Sequence, residues 1–197
     1  MDESPAPPTR LRTIIVFSML FAVLGAVVVF AYFATFNRAI TTVILVRHAE
    51  KNIEPNNPDP DLSAAGQARA QELARVLSST SLDAIYATNF KRTQQTVKPS
   101  ADKSGIAPTI IDAKASSDLV HRIVSSNRGQ TVLVAGHSNT VPAIVNALGG
   151  GSNPDIPDHE YDNLLIVTIY RFGKAKVVKL KYGSVSAAAG AGNTMMK

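Results

Sequence analysis

The chain has 197 residues, no cysteine, no tryptophan and a formal net charge of +5. That length suits one domain of ordinary size, and the absence of cysteine excludes thiol catalysis and cysteine-ligated zinc. The basic residues are scattered, without a dense run or aromatic interleaving, which argues against a nucleic-acid partner and fits an anionic substrate or an anionic membrane face.

Residues 1–12 form a short leader carrying Arg10 and Arg12. From Thr13 to Phe36 no charge occurs, and these 24 residues would make a helix roughly 36 Å long against a hydrocarbon core about 30 Å thick. The stretch exceeds the ~7–15-residue apolar region of a cleaved signal peptide and lacks a good small-x-small cleavage site, so residues 13–36 read as one transmembrane signal-anchor helix. Arg10 and Arg12 precede the span and Arg38 follows it. The positive-inside rule then puts the short N-terminus in the cytoplasm and the rest on the extracytoplasmic, periplasmic side of the cell membrane.

The following domain is expected over residues 41–182. Thr42 to Val46 is an apolar, β-branched strand that ends in Arg47-His48-Ala49-Glu50. Asn52 to Asp61 is a Pro/Asn-rich loop. Ser63 caps a helix to about Ser78, with Ala64, Ala68, Leu73, Val76 and Leu77 as its apolar face. Leu82–Ala87 reads as a strand, Phe90–Ser104 as a helix disturbed at Pro99, Pro108–Ile111 as a strand, Ser116–Ser126 as a helix, Thr131–Ala135 as an apolar strand and Thr140–Leu148 as a short helix. Leu164–Tyr170 and Ala175–Tyr182 flank a turn at Arg171-Phe172-Gly173-Lys174 and form an antiparallel edge hairpin. The alternation predicts an α/β fold, a three-layer α/β/α sandwich with a mainly parallel sheet. Residues 183–197 are rich in Ala, Gly and Ser and are expected to form a disordered tail.

Three strands end in groups suited to one anion: Arg47-His48, Asn89 to Arg92, and Gly136-His137-Ser138-Asn139. Carboxyl ends of strands border the ligand crevice of an open α/β sheet, and helix starts there offer free N–H groups to phosphate. Gly136 permits a tight strand-to-helix turn, and Asn139 or Thr140 can cap the helix that follows. A metal site built on His48 and His137 lacks a carboxylate at ligand spacing, and the arginines would repel a cation. His121 and His159 have no comparable setting.

LVRHAEK at Leu45–Lys51, YATNFKRTQQT at Tyr86–Thr96 and VAGHSNTVP at Val134–Pro142 together resemble the histidine phosphatase superfamily, in its phosphoglycerate-mutase-like branch and its small phosphatase type. The resemblance covers roughly Thr41 to Tyr182 and implies a phosphatase, free of metal and cofactor, that hydrolyses a phosphomonoester or phosphoramidate. It implies that His48 is the nucleophile that becomes phosphohistidine, that Arg47 and Arg92 clamp the phosphoryl oxygens, and that His137 is the second pocket histidine. Ser138 and Asn139 complete the expected substrate-binding set. Larger members place a Glu after the second Arg as general acid, and none occurs between Phe90 and Thr131. Asp112, at a strand end, and Glu50 are the two candidates for that role.

The expected partners are a phosphorylated small molecule or phosphoprotein as substrate and a membrane through residues 13–36. A phosphoglycerate-mutase-type phosphotransferase and a catalytically idle phosphate-binding module are the alternatives. The Asn52–Asp61 and Gly149–Asp162 loops are the expected specificity walls. Asp155, Asp158, Glu160 and Asp162 make the second wall acidic, which favours a cationic or extended phosphorylated partner.

Overall fold

The computed structural model describes residues 9–36, 40–170 and 174–186 and divides into two compact units, residues 1–38 and 39–197. In the first unit, α1 (Thr9–Phe36) is one helix of 28 residues. Its stretch Arg12–Tyr32 is long and apolar enough to cross a membrane, and every side chain described along it is exposed. A signal sequence passes the same test of length and composition.

The second unit is a six-stranded sheet covered on both faces. Its elements in chain order are β1 (Thr41–Arg47), α2 (Ala64–Val76), β2 (Ala84–Thr88), α3 (Lys91–Ser104), β3 (Thr109–Ile111), α4 (Ser116–Ser126), β4 (Thr131–Gly136), α5 (Thr140–Ala147), β5 (Asn163–Ile169) and β6 (Ala175–Lys181). The strand order is β3-β2-β4-β1-β5-β6. β3, β2, β4 and β1 run parallel, whereas β5 is antiparallel to β1 and to β6.

Alternation along the buried strands divides the core between the two faces. Val43 and Leu45 of β1 pack with Val132 and Val134 against Leu119 and Ile123 of α4 and Val141, Ile144 and Val145 of α5. Ile44 and Val46 pack with Leu133 and Ala135 against Leu73 of α2 and Val97 and Ala101 of α3. Both strand faces are buried, which is why these strands read as continuous apolar runs.

The expected apolar face of α2 is corrected. Ala64, Ala68 and Val76 are exposed, and the inward face is Gly66, Arg69, Ala70, Leu73 and Ala74. A Cβ on Gly66 would collide with the Glu50 carbonyl oxygen, so this glycine lets α2 lie directly on the loop after β1. Arg69 is buried because Glu50 receives it there. Pro99 does not break α3, which runs continuously through it. Ser63 caps α2 as expected, its Oγ accepting from the Gly66 N–H.

At the hairpin the Tyr170 N–H donates to the Lys174 carbonyl at 2.9 Å. Residues 171–173 of the expected turn, residues 1–8 of the leader and residues 187–197 of the expected tail lie outside the described residues. Residues 183–186, assigned by sequence to the tail, are instead held to the domain: Ser186 Oγ accepts from the N–H groups of Tyr161 and Asp162 at 2.8 and 3.2 Å.

Candidate active site

Strand register brings the polar strand ends together. Arg47 pairs with Gly136 at the ends of β1 and β4, and the His48 N–H donates to the Gly136 carbonyl at 2.9 Å. His48 and His137 therefore leave adjacent strands side by side, ring centroids 5.5 Å apart. Ala87 pairs with Ala135, which puts Thr88 beside the same crossing. A Cβ on Gly136 would fall 2.8 Å from Thr140 Oγ1 and 3.0 Å from Val141 Cγ2, so glycine lets β4 turn into α5 without displacing these side chains. Thr140 Oγ1 accepts the His137 N–H at 2.8 Å. The Asn139 side chain makes no capping bond.

His48 is buried, and its Nδ1 lies 2.8 Å from the Ala49 carbonyl. A carbonyl only accepts, so Nδ1 carries the proton of the neutral ring and Nε2 keeps a lone pair. The loop is fixed in turn, since the Ala49 N–H donates to Thr96 Oγ1, whose hydroxyl donates to the Arg92 carbonyl. Burial lowers the His48 pKa to about 3; the Ala49 bond opposes this, while Arg47, Arg92 and His137 add to it.

His137 is likewise lowered to about 4 by burial and by the charges of Arg92 and Arg47, against a smaller opposing effect of Asp59. Thr93 Oγ1 lies 2.8 Å from the Phe90 carbonyl and 3.1 Å from the Thr88 carbonyl, so its proton goes to a carbonyl. The Thr88 hydroxyl then donates to Thr93 at 2.8 Å and accepts from His137 Nε2 at 3.0 Å. This chain of donors leaves the lone pair of neutral His137 on Nδ1.

Two guanidiniums flank the imidazoles. Arg47 Nη1 donates to the carbonyls of Pro157, Asp158 and Glu160 at 2.8, 3.0 and 3.1 Å, and its guanidinium carbon lies 4.4 Å from the Tyr161 ring centre. Arg92 stacks on Phe90 at 4.2 Å and, among the described residues, has one ion pair, with Asp59 at 3.6 Å. Burial pushes the Arg92 pKa below its ordinary value. The Nε atoms of both arginines are buried without a hydrogen-bond partner among the described residues. Buried donors without partners are costly, and an anion that accepts from them removes the cost.

These side chains line a cavity of about 570 Å³ that also contains Ser138, Asn139, Lys51, Phe90, Lys114 and Tyr161. The structure brings His48, His137, Arg47, Arg92, Ser138 and Asn139 together there. It does not bring Glu50 or Asp112 to the lining. Glu50 accepts from Arg69 through both oxygens, at 2.6 to 3.0 Å, and Asp112 Oδ1 accepts the Lys114 N–H at 2.8 Å. Asp158 is the one carboxylate residue among the lining residues. His121 and His159 are exposed and outside the lining. Among the described residues, no three His, Cys, Asp or Glu side chains gather to hold a metal ion.

The second loop is not the acidic wall expected from sequence. Glu160 and Asp162 pair with Lys181 at 3.1 and 2.9 Å, Asp158 lies 3.4 Å from Arg47, and Asp155 is outside the lining. Sequence reasoning also missed Thr88, Phe90, Tyr161 and Asp59. Asp59 accepts the Lys91 N–H at 3.0 Å and so caps α3, whose own N-cap, Phe90, offers no side-chain bond.

Residues 43–116 match the family model of the histidine phosphatase superfamily (branch 1). The fold matches that of solved phosphatase structures. The structure of the protein histidine phosphatase SixA complexed with tungstate superposes with a TM-score of 0.59 at 18% identity, covering 71% of this chain and 96% of that one. A mycobacterial glucosyl-3-phosphoglycerate phosphatase in complex with inorganic phosphate gives 0.56 at 14% identity, covering 75% and 97%. In sequence, phosphoserine phosphatase 1 of Hydrogenobacter thermophilus is 41% identical over 69 residues, or 32% of this chain, and the chain covers 33% of that relative's length. The histidine phosphatase match in sequence includes Arg47, His48 and Arg92, whereas His137 lies beyond it.

Proposed function

We propose that the protein is a membrane-anchored phosphatase that works through a phosphohistidine on His48. The carrying observation is the setting of His48: a neutral ring whose proton is held on Nδ1 by Ala49, beside two arginines with unpartnered buried Nε donors. Phosphoryl transfer needs an in-line nucleophile and charge neutralisation at the equatorial oxygens; the free Nε2 lone pair and the two guanidiniums are suited to these roles. The Nε2 lone pair forms the N–P bond as the bond to the leaving group breaks and that group takes a proton from solvent. Water then attacks phosphorus and gives up a proton to solvent, the N–P bond breaks with its electron pair returning to Nε2, and inorganic phosphate leaves with His48 restored. Arg47 and Arg92 hold the phosphoryl oxygens. Burial and the guanidinium charges keep His137 neutral in the free site; an incoming dianion offsets both, so His137 gains a proton and donates from Nδ1 while its Nε2–H stays on Thr88.

Neither Glu50 nor Asp112 reaches the cavity lining, and Asp158, the one carboxylate there, is engaged by Arg47 at 3.4 Å. The reading therefore favours leaving groups that depart with little help from a protein acid, such as a phosphoramidate nitrogen or an aryl oxide. The apolar stretch of α1 supports the anchor, and Arg10 and Arg12 before residues 13–36 against Arg38 after them support an extracytoplasmic domain. Turnover of a generic aryl phosphate by the full chain, with and without chelator, tests the chemistry. Chelator-insensitive turnover is expected; no turnover, or turnover only with added metal, contradicts the proposal. A reporter fused at Lys197 and found in the cytoplasm would overturn the orientation.

A further inference from the structure

The rim of the cavity carries more positive charge than a single phosphoryl group requires. Besides Arg47 and Arg92, its lining includes Lys51, just past the His48 loop, and Lys114, from the turn between β3 and α4. Neither lysine makes an ion pair with a lining carboxylate: Asp158, the sole candidate, pairs with Arg47. Lys114 also sits on a built turn. Asp112 accepts the Lys114 N–H through Oδ1 at 2.8 Å and the Ala115 N–H through its carbonyl at 2.9 Å, and Asn89 Oδ1 accepts the Ala113 N–H at 3.3 Å. Lys51 is fixed at the backbone by an isolated bridge to Leu62. The cavity, at about 570 Å³, has the size of a small-molecule site and leaves room beyond the phosphoryl group.

We propose that Lys51 and Lys114 form a second anion subsite, so that the substrate is a small phosphorylated molecule bearing a further carboxylate or phosphate group. This rests on the phosphatase reading for the site of the scissile group. The primary phosphoryl group takes Arg47, Arg92 and the two histidines, and the second anion lies toward the rim between the lysines. Asp112, a candidate acid from sequence, acts here by holding the turn that carries Lys114.

Binding separates the subsite from the chemistry. Titration calorimetry on the full chain compares methylphosphonate with 3-phosphonopropionate, which adds a carboxylate, and also with a phosphonate-bearing acidic peptide. Wild type is expected to bind 3-phosphonopropionate about tenfold more tightly than methylphosphonate, the effect of two solvent-facing charge contacts. Lys51→Ala with Lys114→Ala is expected to bring that ratio close to one, whereas Lys98→Ala, a surface change outside the cavity, keeps it. Equal affinities in wild type, an unchanged ratio in the double variant, or a preference for the peptide over 3-phosphonopropionate would overturn the proposal. A carboxylate preference without aryl phosphate turnover would instead contradict the enzymatic reading and leave the subsite standing.

Discussion

Arg47 and Glu50 lie three residues apart, yet they belong to two opposite electrostatic settings. Glu50 and Arg69 form a closed unit: both carboxylate oxygens are used, and Arg69 also donates to the Tyr182 carbonyl at 3.0 Å. Burial opposes the Arg69 charge, but bonding to Glu50 holds its pKa above the ordinary value. Arg47, Arg92, His48 and His137 form an open unit, with unpartnered Nε donors, a depressed Arg92 and two imidazoles kept neutral. A buried arginine whose bonds are complete contributes structure, while one left incomplete beside like charge is poised for an anion.

Breaking the open unit has the largest expected effect. Arg92→Met should lower kcat/KM for an aryl phosphate by about 10²–10³-fold and leave the urea midpoint unchanged or higher. Loss of stability with little loss of activity would reverse the assignment of the two units. The closed unit should behave in the opposite way. Glu50→Gln strands a buried guanidinium and should cost about 3 kcal/mol of stability in urea denaturation, with much of the activity kept where the variant is folded.

Acid should affect the open unit first. Both histidines have folded-state pKa values below the unfolded value, so their stabilising contribution is present above about pH 6.5 and is lost as pH falls toward 4 and then 3. Between pH 7 and pH 5 the unfolding free energy should fall by on the order of 4 kcal/mol, half of it from each histidine. The loss should shrink in His137→Ala; an undiminished loss would place the titration elsewhere. The smallest effect is expected at the Thr88 relay. Thr88→Val removes the acceptor of His137 Nε2–H and should reduce kcat/KM about tenfold, with Thr88→Ser restoring it.

The fold and the open unit were legible because both follow from strand ends. Continuous apolar runs located β1 and β4, and the polar residues after them had to meet wherever those strands pair in register. The closed unit was hidden because its partners are 19 residues apart and periodicity treats Arg69 as a solvated position. That is why α2 was expected to present Ala64 and Ala68, and why Glu50 was a candidate acid. Asp112 was misread for a related reason: a strand-end carboxylate can serve its own turn as readily as a cavity. The acidity of the Gly149–Asp162 loop was misleading because Lys181, on β6, neutralises two of its carboxylates. Such pairings depend on tertiary geometry and leave no local pattern.

The most direct test is the site of phosphorylation. The full chain is mixed with an aryl phosphate, quenched in alkali within the first turnover, and the phosphoimidazole is assigned by phosphorus–nitrogen NMR. The structure predicts acid-labile phosphate on Nε2 of His48, because the Ala49 carbonyl holds the proton of Nδ1, and none in His48→Ala. Phosphate on Nδ1 of His48, on His137, or on no histidine while turnover proceeds would contradict the account.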